Sequence, residues 1–252
     1  MTEKNVIDSL SAIRDELAKF LDSDASNVVQ DALAQVNRTK KRLDETRNQT
    51  HDPNKPDGWG YKIRKSKPLR FQSVQCQGHT VRTDVFCDLQ WGEDGLPTNQ
   101  EIALRVWSLD ESLSFREDWD SQKVLAYLAE VGRADRVVFR CHFDMANTNQ
   151  PGPENHLQVG GNGELDEQCW FPTSIKIPRF AHPPMDLLLV CQMVAANFFP
   201  DLYQGVKESP GWRSRVKESE QLVWKEYYDR CQNYLNDNSK KQTTFLDSFW
   251  KN

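Results

Sequence analysis

The sequence predicts an α+β protein with an N-terminal helical hairpin, an antiparallel β-sheet body around a buried helix, and a C-terminal amphipathic helix. Three observations lead to this class. Apolar residues recur at steps of three and four near both ends of the chain, and strand-like apolar runs separated by turn residues begin near residue 69. Residues 185–199 are apolar on most sides, which is typical of a helix in the centre of a fold.

The first 50 residues predict two helices. Val6, Leu10, Ile13 and Leu17 share one helical face, and a second apolar stripe begins near Asn27. The loop DSDAS between them is short, so the helices should form an antiparallel hairpin. Such a hairpin cannot bury its apolar stripes alone. We therefore expect it to pack on the body, on the C-terminal helix or on another chain.

A connector rich in Asn, Asp, Gly and Pro, at 48–61, is expected before the body. The predicted elements of the body are strands at 69–77, 79–91 and 101–109, a helix at 114–132, strands at 136–144, 156–159 and 173–177, and the buried helix at 185–199. Gly78 and His79 predict a tight hairpin turn. Pro183 and Pro184 precede the buried helix and Pro200 follows it.

A second connector is expected at 205–213, before a C-terminal helix at about 215–236. The chain then divides into a helical hairpin (1–50), an α+β core domain (51–204), and a C-terminal helix with a tail (205–252) that packs on the core or the hairpin.

Composition excludes several classes of protein. There is no run of 18 apolar residues, so no membrane-spanning helix is expected. The six cysteines are scattered without a CxxC pair, which favours reduced thiols in the cytoplasm over structural zinc. The phosphate-binding motifs GxGxxG and GxxxxGK[ST] are absent. We expect no cofactor and no bound metal.

Charge is unevenly distributed. The chain has a net charge of −5, yet residues 38–70 hold eleven Lys or Arg against four acidic residues. Aromatic residues are interleaved with these cations, a pattern that suits phosphates and stacked bases. The nucleic-acid-binding candidates are Lys40, Lys41, Arg42, Trp59, Tyr61, Lys62, Arg64, Lys65 and Lys67. An acidic protein partner, or a solvated basic face with no partner, explains the same pattern.

Two histidines stand in neighbouring predicted strands, each with a polar residue two places on. His142 precedes Asp144, and His156 precedes Gln158. If the two strands are antiparallel neighbours, these groups converge on one face. The catalytic candidates are His142, His156, Arg140, Asp144, Arg179 and His182. Hydrogen-bonded histidines at a sheet edge and a metal site are the alternatives.

Two functional hypotheses follow. The first is a cytoplasmic interaction subunit of a bacterial multi-component system, of the toxin or defence type. It would bind a partner protein, RNA or DNA, or a second copy through its terminal helices, and no membrane. The second is a metal-independent nuclease-like phosphodiesterase. In it His142 and His156 exchange protons with the substrate, and Arg140 or Arg179 stabilises the charge that develops on phosphorus.

Overall fold

The computed structural model describes residues 1–47, 58–76, 78–109, 136–145, 152–159, 179–236 and 250–251. Within these ranges it contains five α-helices and an eight-stranded antiparallel sheet, which confirms the α+β class. The helix predicted at 114–132 and the strand predicted at 173–177 lie outside the described residues. None of the described helices is both long and apolar enough to cross a lipid bilayer.

The N-terminal hairpin forms as predicted. Helix α1 (Glu3–Glu16) begins after Thr2, whose hydroxyl accepts a hydrogen bond from the Asn5 amide at 3.3 Å. A 3-10 turn (Ala18–Phe20) follows, and the Asp22 carboxylate accepts a hydrogen bond from the Ala25 amide at 3.0 Å. Helix α2 (Ala25–Arg47) then packs against α1.

The main sheet is built around one long strand, β4. The strands in chain order are β1 (Gly58–Ile63), β2 (Leu69–Arg70), β3 (Val74–Cys76), β4 (His79–Gly92), β5 (Pro97–Ser108), β6 (Arg136–Met145), β7 (Gly152–Pro153), β8 (Asn155–Val159), β9 (Arg179–Ala181) and β10 (Trp250–Lys251). Strand β4 pairs with β1, β2 and β3 along one edge and with β5 along the other. Strands β6, β8 and β9 extend the sheet beyond β5, while β7 and β10 pair with each other.

The predicted turn at Gly78–His79 is confirmed. Cys76 pairs with His79, so the β3–β4 loop is very short. Gly78 has φ +87°, a conformation that costs little only for glycine.

The sequence prediction was wrong about the first connector, because its end forms β1. Two glycines there suggested a loop, but they allow β1 to lie close to β4. A Cβ at Gly58 would lie 2.5 Å from the Trp91 carbonyl oxygen, and one at Gly60 would lie 2.2 Å from that of Leu89. Glycine at these positions therefore permits the strand pairing rather than breaking it.

The second connector was also predicted wrongly. Helix α3 (Leu187–Phe198) is the predicted buried helix, and Asp186 caps it by accepting a hydrogen bond from the Leu189 amide at 2.9 Å. Pro200, expected only to end α3, starts helix α4 (Pro200–Lys207). Helix α5 (Pro210–Asn236) begins earlier than expected, so most of residues 205–213 is helical.

The helices cover one face of the sheet. A single apolar cluster joins α1, α2, α3 and α5 to the inward side chains of β4 and β5, such as Leu89 and Ile102. The C-terminal helix packs on the hairpin, where the Asn5 side-chain amide donates to Glu218 at 2.8 Å and Arg215 pairs with Asp8 at 3.0 Å. The three predicted segments therefore share one core.

Candidate functional site

The other face of the sheet, which we call the polar face, carries charged and histidine side chains. In β4, β5 and β6 the residues that alternate with the buried ones point to this face. Cross-strand pairs that lie on it are Asp84 with Arg105, Arg105 with Arg140, Glu101 with Asp144, Asp144 with His156, His142 with Gln158, and Gln158 with Arg179. Opposed residues in antiparallel strands point to the same face, so these groups are neighbours.

The antiparallel pairing of β6 with β8 confirms that the two histidine-bearing strands are neighbours. It places five of the predicted catalytic residues on the polar face, and we call them the histidine cluster: Arg140, His142, Asp144, His156 and Arg179. His142 and His156 are diagonal neighbours, with Cβ atoms expected about 7 Å apart. The catalytic role of the cluster remains a prediction.

His182 does not belong to the cluster. Its ring packs edge-on against Phe143, with ring centroids 5.2 Å apart. Phe143 is buried in the core and points away from the polar face, because it alternates with His142 and Asp144. The His182 amide donates to the Asn155 carbonyl at 3.2 Å, which ties this residue to the end of β8. The sequence prediction of a catalytic His182 was therefore wrong about its position.

The two imidazoles of the cluster are held in the neutral form. The Arg140 Nε–H donates to His142 Nε2 at 2.7 Å, so that nitrogen is the acceptor and the ring proton is assigned to Nδ1. Burial, with the positive charges of Arg140 and Arg105, lowers the pKa of His142 to about 3. Burial and Arg179 lower the pKa of His156. Neither ring is charged at neutral pH, which weakens a mechanism that needs one of them to donate a proton.

Asp144 has the opposite shift. Burial, and then the Glu101 carboxylate directly opposite, raise the pKa of Asp144 to about 7, against the lowering effect of Arg179 and Arg140. Its Oδ1 atom is buried and has no hydrogen-bond partner within the described part of the chain. Asp144 is therefore the member of the cluster that exchanges a proton near neutral pH.

A cavity of about 930 Å³ opens on the polar face beside the cluster, and we call it the basic groove. Its lining residues are Lys62, Arg64, Lys65, Ser66, Pro68, Arg70, Arg82, Asp84, Phe86, Arg105 and Trp107. Six of them are Lys or Arg, and Asp84 is the one acidic residue among the described lining residues. Arg105 stands opposite Arg140, so the positive charge continues from the groove into the histidine cluster.

The Asp84 carboxylate organises the arginines of the groove. It is buried, and it lies 2.9 Å from the Arg70 Nε atom and 3.6 Å from the Arg82 Nε atom. Two further contacts join guanidinium groups to aromatic rings. The Arg105 Cζ atom lies 4.6 Å from the centroid of Phe86, and the Arg82 Cζ atom lies 5.5 Å from that of Trp107.

The predicted nucleic-acid-binding cations fall into three groups. Lys62, Arg64 and Lys65 line the groove. Lys67 turns toward α2 and pairs with Asp31 at 2.9 Å. The other cations, Lys40, Lys41 and Arg42, are exposed on α2 and are not among the described lining residues of the groove.

The two predicted stacking residues do not lie in the groove. Trp59 and Tyr61 are buried, at 3% and 5% exposure, and Trp59 stacks on Trp91 with ring centroids 4.6 Å apart. They alternate with Gly58 and Gly60 and point into the core, because β1 is a strand and not a connector.

Sequence reasoning missed several groove residues, among them Arg82, Phe86, Arg105 and Trp107. Their signal was present in the strands TVRTDVFCDLQW and EIALRVWSL, where arginines and aromatics alternate with Val, Ile and Leu. Residues in that alternation lie on the face opposite the core, and they are separated in sequence from the basic stretch that drew attention.

Comparison with known proteins adds no identification: no family model matches the chain, and no curated protein or solved structure gives a match. Within the described ranges, no group of three or more His, Cys, Asp or Glu side chains is arranged to hold a metal ion.

Proposed function

We propose that this protein is a cytoplasmic subunit that binds nucleic acid through the basic groove. The observation that carries the proposal is the gathering of six Lys and Arg side chains around one cavity in a chain whose net charge is −5. Phosphate groups are the anions that such an arrangement suits, and release of their counterions drives binding.

The chemistry of the groove favours nucleic acid over an acidic protein. Three of its cations, Arg70, Arg82 and Arg105, are arginines with partly buried guanidinium groups, which bind phosphate through two N–H bonds at once. The groove also contains the aromatic residues Trp107 and Phe86. Their rings have no evident role in binding the carboxylates of an acidic protein. Self-association through the N-terminal helices has less support, because Val6, Leu10 and Ile13 are buried in the protein's own core.

The test is fluorescence anisotropy with labelled single- and double-stranded RNA and DNA, titrated at 50 and 200 mM salt. We expect the double variant R64Q/K65Q to bind more weakly and to reduce the slope of log K against log salt by about 1–2. Both residues are exposed, so the fold should tolerate the change. The matched control is R213Q/K217Q, which removes the same charge from exposed positions on α5.

Two outcomes contradict the proposal. The first is the absence of salt-sensitive binding to any of the four nucleic acids. The second is an equal loss of affinity in R64Q/K65Q and R213Q/K217Q, since that result would reflect overall charge and not the groove.

The second candidate function is the metal-independent phosphodiesterase, supported by the position of five predicted catalytic groups on one face beside the groove. The neutral state of both imidazoles shifts the acid–base role in this candidate to Asp144. We expect cleavage to persist in EDTA and to be lost in D144N and in the double variant H142A/H156A. Unchanged cleavage in these variants, or its loss in EDTA, contradicts this candidate and leaves the binding proposal intact.

A further inference from the structure

We infer that the nucleic acid bound in the basic groove is single-stranded, with an unpaired base stacked on the platform formed by Trp107 and Arg82. This inference rests on the proposed function and deepens it, because it names the class of nucleic acid. Trp107 replaces the stacking residues Trp59 and Tyr61 that the sequence suggested.

Trp107 occupies a position that suits base stacking. It lies on the polar face, opposite Arg82 in the β4–β5 pair, and lines the groove. It is only partly buried, whereas Trp59, Trp91 and Trp212 are enclosed in the core. An aromatic ring on the open face of a sheet, among cations, is a common way to bind unpaired bases.

Contacts within the protein hold the Trp107–Arg82 platform in place. The Arg82 Cζ atom lies 5.5 Å from the Trp107 ring centroid, and the Arg82 Nε atom lies 3.6 Å from buried Asp84. A ring and a guanidinium plane both stack on bases, and both lose little freedom on binding if they are already fixed.

A second ring–guanidinium pair lies farther along the groove. Phe86 and Arg105 form this pair, with 4.6 Å between the Arg105 Cζ atom and the ring centroid. Trp107 is paired with Arg82, and Phe86 is four residues from Arg82 on β4, so the two rings are about 13 Å apart along the strands. One base cannot contact both, so the ligand is an oligonucleotide and not a mononucleotide. The bases of a duplex are stacked inside the helix and cannot reach either ring.

The test compares three probes of equal length: a labelled single-stranded oligonucleotide, its duplex, and an abasic strand that has the phosphates without the bases. We expect the single strand to bind on the order of tenfold more tightly than the abasic strand. W107L should remove most of that difference between the two strands. The matched control is F139L, an aromatic change on β6 on the opposite face of the sheet.

The variant W107F provides a second test that does not depend on how well W107L folds. It keeps the ring, so it should retain most of the affinity for the single strand. It should also lose the part of the tryptophan fluorescence that base stacking quenches in the native protein.

The outcomes separate the two proposals. Equal, salt-sensitive binding of all three probes overturns the stacking inference and keeps the binding function. If W107L and F139L change the affinity difference between the single strand and the abasic strand equally, the stacking inference is also overturned and the binding function is kept. If no probe binds with salt sensitivity, the binding function fails, and the inference fails with it.

Discussion

The two faces of the sheet use the same strands for different purposes. On β5, Ile102 and Leu104 point into the core and are almost fully buried, while Arg105 and Trp107 on the other face contact charged groups and rings. Yet Arg105 is only 6% exposed, so the polar face is not simply a solvated surface. Burial alone therefore does not distinguish the residues that stabilise the fold from those that could serve a function. The core face buries apolar area, and the polar face buries charge that is held by neighbouring side chains.

The largest effect is expected on the core face. I102A removes a side chain with 0% exposure, and we expect the free energy of unfolding to fall by about 2–5 kcal/mol, measured by urea denaturation. Q90A, at an exposed position on the polar side of β4, should change it by no more than about 0.5 kcal/mol. Similar losses for the two variants would contradict the assignment of the faces.

The next effect is expected at Asp144 and depends on pH. In the folded protein burial and Glu101 raise the pKa of Asp144 from 3.8 to about 7, so the folded state favours the protonated carboxyl. Its contribution to stability is present below about pH 4 and is lost as pH rises through 7. D144N carries no charge, so we expect it to be more stable than the native protein by about 2–4 kcal/mol at pH 8, and equally stable near pH 4. A constant difference across this range would contradict the shift.

His142 should have the opposite pH dependence. Its pKa is lowered from 6.5 to about 3, so its contribution is present above about pH 6.5 and is lost as pH falls toward 3. The glutamine in H142Q does not titrate and can accept the hydrogen bond from Arg140. When the pH falls from 6 to 4.5, we expect the free energy of unfolding of H142Q to decrease by about 2 kcal/mol less than that of the native protein. Parallel curves for the two proteins would show that His142 is not buried in the neutral form.

The smallest effect is expected for the ion pair between Lys62 and Asp88. Its Nζ and Oδ2 atoms lie 2.7 Å apart, but the lysine side chain is 57% exposed. A double-mutant cycle with K62A and D88A should give a coupling energy below about 1 kcal/mol. K62A should weaken nucleic-acid binding clearly, because Lys62 lines the groove. A strong loss of stability with unchanged binding would reverse the roles that we assign to this lysine.

Sequence reasoning recovered the elements whose patterns are local. Helix α3 was clear because its apolar residues cover most sides. Strands β6 and β8 were predicted from their own residues, whereas their pairing entered only as a condition that the structure fulfils. Strand β1 and helix α4 were missed because Gly58, Gly60 and Pro200 are also typical of loops. Only the tertiary structure shows that these glycines face the β4 backbone.

The candidate site was recovered in part for a similar reason. The histidine cluster could be predicted because its members lie in adjacent strands, and alternation assigns their faces. The groove could not, because Arg82 and Arg105 approach Lys62 and Lys65 only when β1, β2 and β5 pair around β4. Charge counted along the sequence identified a basic segment, but it could not identify the cavity that the segment helps to form.

The length of β4 also has a consequence for the order in which the chain assembles. Short loops adjoin β4 at both ends, since Cys76 pairs with His79 and Trp91 pairs with Pro97. Closing a short loop loses less chain entropy than closing a long one, so the three-strand unit β3–β4–β5 should form early in folding. Strand β1 docks on β4 with Gly58 opposite Gly92, and this step must follow the formation of the three-strand unit. The basic groove needs both events, so it forms only after β1 has docked on the three-strand unit.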